Sequence, residues 1–136
     1  MYLIVFFLIF AFGVPVVSAE NPITLAEIDS QHEKSQLQTE YQEIASQIEK
    51  VLASNPNQYP WQWRQARTQY SLAKKAGESK SDYYDLCILH SSRAIELQPD
   101  SAVSYFYRGL CRGKQGEMKG VWASLGMIEP FEEDMK

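Results

Sequence analysis

The side chains in this chain best able to do chemistry are Cys87, Cys111, His32 and His90. Cys87 and His90 lie three residues apart, one turn of a helix, and with Cys111 they offer three Cys/His donors. Zinc takes four protein ligands in a structural site, or three plus water in a catalytic one. Three donors barely suffice, and a disulfide would consume two of them. No Cys-x-x-Cys is present, so thioredoxin-type exchange and covalent haem attachment lack their local motif. With Asp100 as a turn, Cys87 lies 13 residues before it and Cys111 lies 11 after. On antiparallel helices that places them within about 3 Å in height. A Cys87–Cys111 disulfide is the expectation, and two separate buried thiols the competing arrangement.

The other candidates lack partners. His32 stands beside Glu33 on a polar helix face, where exposure is expected. Ser91 and Ser92 follow His90 in a helical stretch, without the strained turn that a nucleophile elbow requires. Gly113-Lys114-Gln115-Gly116 lacks the Gly-Lys-Ser/Thr ending of a phosphate loop. Glu132 and Glu133 point to different sides if helical and make poor acid–base partners. The expectation is a protein without catalytic or cofactor-binding residues, not an enzyme.

The elements that must position these residues begin after a leader. Residues 2–17 are almost entirely apolar, Val17-Ser18-Ala19 supplies small residues, and Glu20 is the first charge. This reads as a secretion signal over residues 1–19, cleaved after Ala19. The run is short of the roughly 20 residues that span a bilayer, and Pro15 would break a spanning helix. No Lys or Arg precedes it, so an uncleaved N-terminal membrane anchor is the alternative. The expected location is therefore periplasmic or secreted, where disulfides persist. Residues 20–136 suffice for one small domain. At 45% apolar and 12% aromatic residues, the 136-residue chain is not an acidic disordered tail, and its net charge of −4 argues against general nucleic-acid binding.

Thr24 and Glu27 have capping-box spacing, and Leu37, Tyr41, Ile44, Ile48, Val51 and Leu52 recur at three and four. One long helix over about 24–54 is predicted, ending at Asn55-Pro56; the polar run 29–36 leaves room for a separate short first helix. A second helix begins near Pro60 with Trp63, Ala66, Tyr70 and Ala73 inward and ends at Gly77. Ser79 and Asp82 open a third, which closes at Pro99. A fourth starts after Ser101, with a turn expected at 113–116, and a fifth over 121–128 is stopped by Pro130. No run alternates as a strand does, so the fold class is all-α.

Paired helices in series suggest internal repeats. Ile48, Val51 and Pro56, then Trp63, Arg67, Tyr70, Cys87, Ala94 and Pro99, then Tyr105, Gly109, Gly116 and Glu117 follow the order of the tetratricopeptide repeat pattern, and the chain resembles that family. Trp63 to Tyr105 spans 42 residues where the family's period is about 34. One extra turn on each of two helices would absorb the difference. Arg67 replaces the usual small residue and must reach outward or find a carboxylate. Residues 105–135, with Lys119-Gly120, Ser124-Leu125 and Pro130-Phe131, look like the subgroup that includes regulator-of-microtubule-dynamics proteins and bacterial secreted relatives.

The resemblance implies a short right-handed solenoid of antiparallel helix pairs, a repeat over about 60–99 and a partial one over about 102–136. It also implies a groove for a protein or peptide, lined by Trp61, Arg64, Thr68 and Ser71 and then Val103, Phe106 and Leu110; alternatively Trp61 and Phe106 complete the core. Residues 20–60 hold seven acids against two bases, whereas 61–80 hold five bases against Glu78. The middle would attract acidic partners, or be a solvated face balanced by the first helix. Trp122, Leu125, Ile128, Phe131 and Met135 would form an apolar end surface for a second subunit or a partner. The second functional reading is a helical small-molecule-binding accessory of a solute transport system, and the third a metal-dependent enzyme.

Overall fold

The computed structural model describes residues 21–120 and 128–136. The predicted signal segment 1–19 with its Ala19 cleavage site, together with Trp122 and Leu125, lies outside the described residues. The described residues form six helices: α1 Leu25–Lys34, α2 Gln38–Ser54, α3 Tyr59–Lys75, α4 Lys80–Leu97, α5 Ala102–Lys119 and α6 Ile128–Met135. No strand occurs among the described residues.

Local sequence explains most of the boundaries. At the start of α1, Thr24 Oγ1 accepts from Glu27 N (3.2 Å) while Glu27 Oε2 accepts from Thr24 N (2.8 Å), completing the capping box. The single long helix expected over 24–54 is two. Ser35 ends α1 with its Oγ on Gln31 O, and Glu40 reaches back to the backbone N–H groups of Gln36 and Leu37 to start α2. Leu37, assigned by its spacing to the buried stripe, is the extended residue before α2 and is 61% exposed. Pro60 sits in the first turn of α3, where a missing N–H costs nothing. Ser101 caps α5 by accepting from Ser104 N. Ser79 precedes α4 as expected but makes no side-chain cap.

One boundary differs from the sequence pattern. No turn forms at 113–116: α5 continues through both glycines and stops at Gly120, whose φ of +88° suits only a residue without Cβ. Pro130 lies within the first turn of α6, where proline is tolerated; the helix expected over 121–128 falls, but for Ile128, outside the described residues.

Each helix packs against its neighbours, with α3 at the centre touching α1, α2, α4 and α5, and α6 lying on α5. One apolar cluster joins Ile28, Ile44, Ile48, Leu52 and Trp61. A second joins Ala66, Ala73, Tyr84, Cys87 and Cys111. The second contains the predicted disulfide: Cys87 on α4 is bonded to Cys111 on α5, with a Cα–Cα separation of 6.3 Å. The arrangement is compatible with a helical repeat. At 17 and 18 residues, α3 and α4 are long enough to absorb the extended period. Trp63 is the fifth residue of α3 and Tyr105 the fourth of α5.

Candidate recognition surface

Of the groove residues predicted on α3, Trp61 and Thr68 are buried and Arg64 and Ser71 partly so. Trp61 is 8% exposed and packs with Ile28 of α1 and the apolar face of α2. Thr68 is fully buried, its Oγ1 donating to Arg64 O at 2.9 Å. At Trp61 the cover comes from α1 and α2 together. Arg64 holds Asp29 through two donors, Nε to Oδ1 at 2.9 Å and Nη2 to Oδ2 at 2.6 Å. Arg67 adds Nη2 to Oδ1 at 2.8 Å, so it finds the carboxylate that its position demands. Both guanidiniums lie near the Trp63 ring, at 4.2 and 5.1 Å from its centroid. The Arg64 hydrogen bond, offset in part by burial, holds the Asp29 carboxyl below its usual range.

His32, expected on an exposed face, is half-buried against Tyr41, with its Nε2 3.1 Å from Ser71 Oγ. Burial, helped by the Arg67 charge, lowers its pKa from 6.5 to about 4. His90 also belongs to the packing. Its Nδ1 donates to Gln62 Oε1 at 2.8 Å, Gln62 Nε2 donates to Pro56 O, and burial lowers the imidazole to about 4. With Cys87 and Cys111 bonded to each other, the three-donor metal set does not exist. No group of three or more potential metal-binding side chains occurs among the described residues.

The α5 half of the predicted groove is different. Val103 and Leu110 are partly buried, but Phe106 is 45% exposed and stands beside a cleft of about 470 Å³ that also involves Tyr105 and Met135. Met135 is itself 47% exposed, and Asp100 and Glu133 contribute acidic groups at the rim. Below this edge α6 is locked down. Asp134, its side chain wholly inaccessible, receives Arg108 Nε and Nη2 on one oxygen and Arg112 Nη1 on the other, the last at 2.8 Å. Arg108 also lies over the Tyr105 ring at 5.3 Å. Gly109 and Gly113 make the approach possible. A Cβ at Gly109 would lie 2.8 Å from Met135 Sδ, and one at Gly113 would lie 3.2 Å from the Phe131 ring.

The basic bias of the middle of the chain is thus partly neutralised internally, by Asp29 and Asp134. What stays open is a cleft of about 520 Å³ where Lys74, Lys80 and Lys114 meet Tyr70 and Tyr84, with Glu117 paired to Lys114. Sequence reasoning missed both arginine–aspartate clamps as pairs. The i,i+3 and i,i+4 arginine spacing was visible, but their carboxylate partners lie 35 and 26 residues away. No protein-family model, curated protein or solved structure matches this chain.

Proposed function

We propose that this chain is a non-enzymatic, tetratricopeptide-like helical scaffold of the cell envelope or secreted space, and that it binds a protein or peptide along the α5–α6 edge. The observation carrying this reading is the half-exposed Phe106 beside Met135 in an open cleft, since large rings at partly desolvated edges contribute disproportionately to protein recognition. The Cys87–Cys111 bond fits an oxidising compartment. Among the described residues no helix is long and apolar enough to cross a membrane, and membrane attachment would come only from an uncleaved N-terminal segment.

The test uses the mature chain as bait in an envelope extract, beside a Phe106→Asp variant with an unchanged near-ultraviolet circular dichroism spectrum. A partner retained by the wild type and lost from the variant supports the reading. Retention by both, or by neither, contradicts it.

A further inference from the structure

Two short helices from opposite ends of the described chain are gripped by one kind of chemistry. On α3, Arg64 and Arg67 hold Asp29 of α1; on α5, Arg108 and Arg112 hold Asp134 of α6. In each clamp an arginine lies over an aromatic ring of its own helix, Trp63 or Tyr105. The gripped segments share a pattern as well. Leu25-Ala-Glu-Ile28-Asp29 and Phe131-Glu-Glu-Asp134-Met135 each place an aspartate one turn after an apolar residue and next to a second one, which precedes the aspartate in α1 and follows it in α6. At the second clamp, Gly109 and Gly113 leave the space that Met135 and Phe131 fill.

We infer that the Arg108–Gly109–Arg112–Gly113 face of α5 is a receptor site for short acidic amphipathic helices with the apolar-x-x-Asp-apolar order of α6, that α6 is its occupant within the chain, and that a partner helix carrying that order displaces α6. The inference rests on the protein-binding reading and specifies its partner. Two guanidiniums on one buried carboxylate give a geometric requirement that glutamate or asparagine meets poorly, because bidentate pairing depends on reach and charge together. Displacement follows the rules of tethered ligands. An in-chain helix on a short connection competes at an effective concentration on the order of millimolar, so a free helix of equal intrinsic affinity binds weakly until the tethered one is loosened.

The test is fluorescence anisotropy with a labelled peptide spanning residues 128–136 and its Asp→Asn analogue, titrated with the full chain and with its Asp134→Asn variant. The variant is expected to bind the aspartate peptide at least about ten-fold more tightly than the wild type does, and about ten-fold more tightly than it binds the asparagine peptide. Equal binding by both proteins, indifference to the aspartate, or no binding by a natively folded variant overturns the inference. Should the variant lose its native near-ultraviolet spectrum, the wild type decides: excess aspartate peptide must move the Met135 methyl resonance to its position in the free peptide, and a resonance that stays put overturns the inference. Failure of the peptide while a partner is still retained through Phe106 removes this inference alone. Peptide binding with no partner retained removes the broader reading.

Discussion

At the scale of single residues, the energetics turn on charges that have lost their water. The Asp134 side chain is inaccessible and is satisfied by Arg108 and Arg112. Replacing it with alanine strands two arginines, and removing one partner of a buried ion pair costs on the order of 3 kcal/mol. The loss is expected locally, as faster amide exchange in α6, with global stability less affected. The exposed Lys114–Glu117 pair is the control: Glu117→Ala should leave the urea midpoint unchanged, because a solvent-screened surface pair contributes little. His32 and His90 set the pH response. Both imidazoles are held neutral by burial, with pKa values of about 4 against an ordinary 6.5. Between those limits the unfolded chain binds more protons, so stability is present above about pH 6.5 and declines as pH falls toward 4, by at most about 1.4 kcal/mol per pH unit for each histidine. Asp29, with its depressed carboxyl, adds loss in the same direction at lower pH. Urea midpoints at pH 7, 6 and 5 measure this, and a His32→Gln/His90→Gln variant should show a flatter profile over that range.

At the scale of elements, the disulfide is the strongest single constraint. Cys87 and Cys111 close a loop of 24 residues, and cross-linking such a loop stabilises by about 3 kcal/mol. Reduction, or a Cys87→Ser/Cys111→Ser variant, should lower urea stability by roughly that amount. Alkylation after reduction should label both sulfurs, and before it neither. This link was legible because helical rise alone matches the heights of the two cysteines across a turn at Asp100. The helix starts at Thr24, Pro60 and Ser101 were legible too, because caps are local chemistry. The turn expected at 113–116 was not. Gly113 is needed for the close approach of Phe131, not for a bend. Leu37 misled because helical spacing cannot show that Ser35 and Glu40 interrupt the helix. Of the residues assigned to the groove, Phe106 on α5 is exposed, whereas Thr68 is buried and Trp61 is covered by α1 and α2. Periodicity shows which residues are shared among helices, not which neighbour shares them.

At the scale of the whole molecule, self-association through the α6 end is the competing use of the same surface. Phe131 is already spent on Gly113, but Ile128 and Met135 remain about half exposed. If that end docks a second copy, Ile128→Glu/Met135→Glu should convert the species seen by size-exclusion light scattering from dimer to monomer. A wild type already monomeric at high concentration removes obligatory association and leaves the edge to a partner. In either case α3 is the spine: it touches four other helices and carries the Arg64–Arg67 clamp, while α5 carries its counterpart. The most direct measurement is photo-crosslinking in living cells from a benzophenone amino acid at position 106, with the exposed Ser46 of α2 as control. A discrete protein adduct from position 106 and none from position 46 is the expected result. No adduct at 106, or the same adduct from both positions, would contradict recognition along the α5–α6 edge.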